Sequence, residues 1–483
     1  MSFSNPSRRE FIRAATALGV GAMVAPHARV FGANERVNVA VIGCGDKGGG
    51  HIKQLSGMNN VKIVALSDAD SQHMNQHAER VGGGVQTYQD FRRALDSKDV
   101  DAVVIVAPNH WHALMTVWAC QAGKHVYVEK PATHSIWECR RMIDAAKKSG
   151  RIVQVGTQHR SDPGITASVQ DIQAGMLGKV LWVDSIHFGL RGSIGKVSAP
   201  MPVPSSVDYN LWAGPAPDAP VMRRRFHYDW HWQWPYGNGE IGNWGPHRAD
   251  DICNILGWTE APTNVVMCGN RWMWHDDGQT PNMALAYFTH PSGIPVTLQI
   301  RNLPAEKGSE RSPSYFSNRA RDVNIVMCEN GYFVVFRGGA RAYDKDGKQI
   351  KRYDGDGGQQ HLPRFIDAIQ NDDHSKIAAT IEQGCLSATM CHMVNASYRV
   401  GQAASPEEVK ESFQQCDDVK NAIASLVDNL HQLQIDLARE PIILGPQLTF
   451  DANAQSFTGD HADQANQYLK DAYREPFVMP EQV

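Results

Sequence analysis

Gly43-Cys44-Gly45-Asp46-Lys47-Gly48 decides how this chain reads. It follows Val37 to Ile42, a short apolar run that reads as a buried strand. Gly43, Gly45 and Gly48 match G-x-G-x-x-G. The first allows a tight turn, the second lets a pyrophosphate approach the backbone, and the third permits close packing of helix on strand. The pyrophosphate then meets free N–H groups at a helix N-terminus, with Asp46 and Lys47 beside it. Asp68 ends the next strand, 20 residues after Gly48. An acid there bonds a ribose 2′-hydroxyl and repels a 2′-phosphate, so the expected cofactor is NAD rather than NADP.

Outward from this loop, residues 34–156 alternate strand and helix. Val61 to Leu66, Ala102 to Val106, His125 to Val128 and Ile152 to Val155 are apolar and mostly β-branched. Such runs, with helical segments between them, read as parallel strands buried on both faces. Ile136, Cys139, Ile143 and Ala146 mark a helix, and Gly150 is its stop signal. The expected fold is α/β: a doubly wound Rossmann sheet.

Residues 157–403 change pattern. Strands are expected at Val180 to Ile186, Asn264 to Cys268, Met283 to Phe288, Pro295 to Ile300, Asn324 to Cys328 and Tyr332 to Phe336. Tight turns such as Glu329-Asn330-Gly331 imply antiparallel pairing. This is a second, α+β domain with an open, mainly antiparallel sheet. The polar stretch Glu306 to Asp322 reads as a loop. Helices expected over about 360–400 pack back on the first domain. Residues 404–483 form a C-terminal extension, with a helix around Val419 to Leu437.

The chain has 483 residues, a formal net charge of −4, 42% hydrophobic and 20% charged residues. No basic stripe is present, so nucleic acid is not expected as a partner. Residues 1–33 resemble a twin-arginine signal. Arg8-Arg9 precedes the apolar run Ala14 to Ala25, which is too short to span a bilayer stably. The expected location is periplasmic, with no membrane anchor once the signal is removed. That route carries folded proteins, so a cofactor loaded beforehand would have to stay bound. Nine cysteines give no CxxC pair and no zinc spacing, and an odd count excludes a complete disulfide framework within one chain.

Glu129-Lys130-Pro131 follows the His125 to Val128 strand, at the ligand edge of a parallel sheet. An ammonium there stabilises a developing alkoxide. His247, in Gly242-Asn243-Trp244-Gly245-Pro246-His247-Arg248-Ala249-Asp250, is a candidate proton acceptor. Pro108, Asn109 and His112 stand after the Ala102 to Val106 strand, where a nicotinamide riboside would lie. His110 and His112 lack a third ligand, so no metal is expected. The run His227, Tyr228, Trp230, His231, Trp232, Trp234 and Tyr236 suits the faces and hydroxyls of sugars, or forms an aromatic core layer.

These motifs together resemble the glucose–fructose oxidoreductase / inositol dehydrogenase (Gfo/Idh/MocA) superfamily, over about residues 35–400. The resemblance rests on the glycine loop, the Pro-Asn-x-x-His segment, Glu129-Lys130-Pro131, Gly156-Thr157-Gln158, and His247 with Asp250. It implies Lys130 and His247 as the catalytic pair, Glu129 and Gln158 beside the cofactor, and a sugar or polyol substrate. Arg160 joins His227, Tyr228, Trp230, His231 and Trp232 as a substrate contact. Many members carry Asp four residues before the histidine; here Asn243 takes that place. An amide accepts no proton, which alters the proton path. The extension resembles an exported subgroup. Three functions are compatible: a sugar oxidoreductase with tightly held NAD, an NAD-dependent glycoside hydrolase, and a sugar-binding protein on a dehydrogenase scaffold. The hydrolase needs a second base, for which Tyr228, His231 and His227 are open candidates. A homo-oligomer is expected.

Overall fold

The computed structural model describes residues 36–310, 322–413 and 417–483. The export signal expected over 1–33, and most of the loop expected over Glu306 to Asp322, lie outside these residues. Among the described residues no helix is long and apolar enough to cross a membrane.

Six parallel strands form the first sheet: β1 (Val37–Ile42), β2 (Val61–Ser67), β3 (Gln86–Tyr88), β4 (Ala102–Ile105), β5 (His125–Val128) and β6 (Val153–Val155). Their order is β3-β2-β1-β4-β5-β6. Chain direction switches sides between β1 and β4, and there the carboxyl ends of the strands open a crevice. Every residue of β4 and β5 is buried, as their unbroken apolar sequences require. Ile136–Ser149 is a helix; the carboxylate of Glu138 accepts the N–H groups of His134 and Ser135 at its start. Gly150 ends it in the left-handed conformation, φ 64°.

The second sheet begins at β7 (Val180–Phe188) and includes β8 (Asn264–Asn270), β9 (Met283–Thr289), β10 (Val296–Arg301), β11 (Asp322–Cys328) and β12 (Gly331–Phe336). With β13 (Gly339–Asp344), β14 (Gln349–Asp354), β15 (Gln402–Ala404) and β16 (Ile442–Leu444), it runs β14-β13-β12-β11-β7-β10-β9-β8-β16-β15. Among the described residues of this sheet only β7 and β10 pair in parallel; the other pairs are antiparallel. Period-two alternation sorts each strand between two layers. In β8, Val265 and Met267 face the helices Gly245–Leu256 and Ile381–Arg399, while Val266 and Cys268 face the helix Asp417–Gln432.

Four strands beyond residue 400 complete this sheet. β15 (Gln402–Ala404) and β16 (Ile442–Leu444) extend it past β8; β17 (Leu448–Asp451) pairs with β8 and with β18 (Ser456–Thr458). The last residues then cross to the first domain. The Tyr473 hydroxyl donates to Glu138 Oε1 at 2.7 Å, and Phe477 packs edge-on against Trp111. The helix His361–Asn371 also belongs to the first domain, where Leu362, Phe365 and Ile366 pack among Val39, Val41 and Tyr127.

Candidate active site

A cavity of about 390 Å³ opens along the carboxyl ends of the first sheet. Its floor is the glycine loop. Gly43 has φ +91°, and a Cβ there would lie 2.6 Å from the backbone of Val106. A Cβ on Gly48 would lie 2.0 Å from the carbonyl oxygen of Gly43. Gly45 differs: its Cβ would meet nothing nearer than His73 at 3.6 Å, so its bareness keeps the cavity floor open. The helix Asp46–Ser56 starts at Gly45 with no side-chain cap, leaving its first N–H groups for an anion.

Asp68 stands at one end of the wall. Its carboxylate accepts the N–H of Cys44 at 2.7 Å and that of Asp70 at 2.8 Å, which fixes its orientation. His73 lies beside it, and hydrogen bonding to Asp68 raises the imidazole pKa. This donor set fits a dinucleotide whose ribose hydroxyls meet a fixed carboxylate.

Lys130 stands at the other end. Its Nζ donates to the backbone oxygen of Asn243 at 2.8 Å and to Asn243 Oδ1 at 3.0 Å. An ammonium has three protons, so one remains for the cavity. Burial lowers the Lys130 pKa, while Glu129 and Glu240 act against that shift. Asn243 Nδ2 donates to Glu240 Oε1 at 3.1 Å. The amide therefore bridges the lysine and a fully buried carboxylate.

Glu129 is turned toward the helix that follows the glycine loop. Its carboxylate meets His51 Nε2 at 2.8 Å and accepts from Gln158 Nε2 at 2.9 Å. Burial pushes its carboxyl up, but Lys47, His51 and Lys130 push it further down, so it stays ionised. A Cβ on Gly156 would lie 2.9 Å from this carboxylate. His112 sits between the carbonyls of Ala107 and Pro131, with one ring nitrogen facing each and its N–H donated to one of them, which ties the turn after β4 to the lysine turn.

Of the residues expected from sequence, Gly43, Gly45, Asp46, Lys47, Gly48, Asp68, Pro108, Asn109, His112, Glu129, Lys130 and Asn243 line the cavity. So do His227, Tyr228, Trp230 and His231. His227 is drawn to the Asp68 end, however, where its Nε2 meets Asp70 Oδ2 at 2.9 Å. Four expected residues are not in the wall. Gln158 acts through Glu129. Arg160 is committed to Asp250, with Nε 2.9 Å from both carboxylate oxygens. Trp232 is buried beneath Tyr228 and His231. His247 stacks on His159, ring centroids 5.0 Å apart, and its Nδ1 is buried without a hydrogen-bond partner. Burial lowers its pKa, and His159, Lys130 and Arg248 lower it further.

Sequence reasoning missed Glu240 and Arg191. Arg191 donates to both oxygens of Glu240, at 3.1 and 2.9 Å, and to the Tyr228 hydroxyl at 3.1 Å. Glu240 stands three residues before Asn243, a spacing that shares one helix face and was legible. Arg191 lies in an irregular segment with no such signal.

A family model described as "Oxidoreductase family, NAD-binding Rossmann fold" matches residues 37–157. A second, "Oxidoreductase family, C-terminal alpha/beta domain", matches residues 171–296. The inositol 2-dehydrogenase of Salmonella typhimurium is 30% identical over 154 residues, 32% of this chain and 46% of that protein. The scyllo-inositol 2-dehydrogenase (NAD(+)) of Bacillus subtilis is 33% identical over 149 residues, 30% of this chain and 43% of that protein. The chain thus matches a little under half the length of these curated relatives. Levoglucosan dehydrogenase in complex with NADH superposes with a TM-score of 0.58 at 17% identity, covering 74% of this chain and 96% of that one. UDP-N-acetylglucosamine 3-dehydrogenase GnnA from Acidithiobacillus ferrooxidans gives 0.53 at 18% identity, covering 74% and 97%. At these identities the superpositions speak for the fold. The two family models match the first domain and the first part of the second in sequence order, together half of the chain, and the chain belongs to the Gfo/Idh/MocA oxidoreductase family.

Proposed function

We propose that this protein oxidises a secondary alcohol of a sugar, polyol or glycoside. The observation that carries the reading is the half-buried Lys130 ammonium, held by Asn243 with one proton free at the cavity. The glycine loop, Asp68 and the Glu129 cluster hold the dinucleotide, and bound NAD supplies the hydride acceptor. Lys130 donates to the substrate oxygen and stabilises charge as the hydride leaves. His247 takes the hydroxyl proton. His247 stands behind the cavity wall with its Nδ1 sealed, so the proton goes to Nε2, which is not among the buried unpartnered atoms. Export by the twin-arginine route belongs to the same reading, and implies that nucleotide travels with the folded protein.

The test uses protein purified without added cofactor. Inositols, free sugars and nitrophenyl glycosides are added while reduced-nicotinamide absorbance is followed. A lasting rise is expected with a polyol or sugar, and Lys130→Met should slow it about 10²-fold or more while still binding nucleotide. Aglycone release without a lasting rise would favour the hydrolase instead. A preparation without nucleotide that also binds none when NAD is supplied overturns both readings.

A further inference from the structure

At the Asp68 end of the cavity, metal-ligating side chains converge from both domains. Asp70 and His73 belong to the first domain, one turn apart at the start of the helix Ser71–Val81. His227 comes from the second domain, 157 residues beyond Asp70. One donor atom from each, a carboxylate oxygen and two ring nitrogens, all lie within 4.8 Å of one another. The group shares no residue with the pair His110 and His112, from which no metal was expected. Its members stand too far apart in sequence to show a ligand spacing.

The surroundings hold these donors in place. Asp70 is 3% exposed, and its Oδ1 accepts the N–H of Gln72 at 2.9 Å. Its Oδ2 is left to face His227 Nε2, also at 2.9 Å. Asp68 Oδ2 lies 3.7 Å from His73 Nδ1, and a carboxylate beside an imidazole is what orients a ligating histidine. The side chains of His73 and His227 are 28% and 33% exposed and line the cavity, so both rings have room to turn.

We propose that Asp70, His73 and His227 bind one divalent ion of the zinc type, which clasps the two domains over the adenosine end of bound NAD. Two imidazoles and one carboxylate, with a fourth position open to the cavity, suit Zn²⁺ or Co²⁺; Mg²⁺ and Ca²⁺ take oxygen donors. With bonds of about 2.0–2.2 Å, tetrahedral donors stand about 3.4 Å apart. Donors now 2.9 Å apart part slightly, and those at up to 4.8 Å close by about 1.5 Å, a distance that rotation of exposed rings covers. The ion's charge also meets two carboxylates, Asp68 and the buried Asp70. An ion bonded to both domains must lose a ligand before this end of the cleft opens. The clasp rests on the oxidoreductase reading, which puts NAD in the cavity; the ion site does not.

The experiment titrates zinc sulfate into chelator-treated holoprotein by calorimetry, and repeats it with Co²⁺, whose visible spectrum reports four-coordination. Wild type should take up one Zn²⁺ per chain. His73→Gln and His227→Gln should each weaken uptake about 10²-fold or more. Asp70 is left in place because it caps its helix, and circular dichroism checks that both variants are folded. Zn²⁺ should raise NAD affinity about 10-fold in wild type, and NAD should raise Zn²⁺ affinity by the same factor. The proposal is overturned if wild type takes up no stoichiometric Zn²⁺, or if the folded variants bind it as tightly as wild type. Zn²⁺ held by these residues without any change in NAD affinity overturns the clasp. Protein that takes up Zn²⁺ but binds no NAD overturns the oxidoreductase reading, and the clasp with it, while the ion site stands.

Discussion

Asn243 stands where the family resemblance implies an aspartate, and its two faces show what an amide does there. Its Oδ1 accepts from Lys130 while its Nδ2 donates to Glu240, and no carboxylate side chain could do both. The negative charge stands three residues back, on Glu240 of the short helix Gly239–Asn243. Asn243→Asp would set two carboxylates against each other at about hydrogen-bond distance, so one proton must be shared between them. The expected loss is about 1–3 kcal/mol of stability. The acid limb of the pH–rate profile should move to higher pH, because the shared proton has to leave first. Adding Glu240→Gln restores a donor facing an acceptor. The double variant should therefore recover much of the thermal stability, whereas independent effects would add. A double variant less stable than Asn243→Asp alone would show that Glu240 does not pair through this amide.

Elements nearest the glycine loop were legible because their signals are local. The apolar runs of β1, β2, β4 and β5, and the Gly150 stop, stand in the sequence as they stand in the fold. Seven of the described strands were not legible: β3, β13, β14 and the four beyond residue 400. β3 has three residues and little burial, and β13 (Gly339–Asp344) and β14 (Gln349–Asp354) lie at the sheet edge, where polar residues such as Arg341, Lys351 and Arg352 break the apolar alternation. The C-terminal segment was hidden for another reason: its partners are hundreds of residues away. Phe477 is fully buried against Trp111, and Trp111 lines the cavity. Phe477→Ala should cost about 3–5 kcal/mol, seen as a lower urea midpoint. It should also weaken NAD binding in a calorimetric titration, because the void lies behind a wall residue. Val478→Ala, at a residue 37% exposed, is the control and should change neither. Unaltered NAD affinity in a destabilised Phe477→Ala protein would confine the tail to a structural role.

Across the whole molecule, buried histidines set the response to acid. Burial holds the pKa of His110 and His125 at about 3, and those of His231, His361 and His392 at about 4, against 6.5 when exposed. Each is lower in the folded state, so the unfolded chain takes up protons first as pH falls below 6.5. Their contribution is complete above that pH. It is lost at up to about 1.4 kcal/mol per pH unit per histidine on the way down to the folded values. Raised groups oppose them: Asp250, His73, His134 and, furthest shifted, two acids. Burial raises Glu138 to about 7 and Asp184 to about 6, so each favours the folded state as pH falls toward its ordinary carboxyl range. Among the described residues ten histidines are lowered in the fold, these five among them, against five raised groups (Glu138, Asp184, Asp250, His73 and His134), so stability should fall between pH 6.5 and 4. His125 isolates one of the lowered histidines, since it lies at the start of β5, away from the cavity wall. Its Nδ1 accepts the backbone N–H of Ile152 at 3.1 Å, a bond that protonation breaks. His125→Asn offers an oxygen to the same N–H and cannot titrate in this range. In urea melts across this interval its slope against pH should be shallower than wild type by about 1.4 kcal/mol per unit. An unchanged slope would mean that His125 is not neutral in the fold, and that acid acts on other groups.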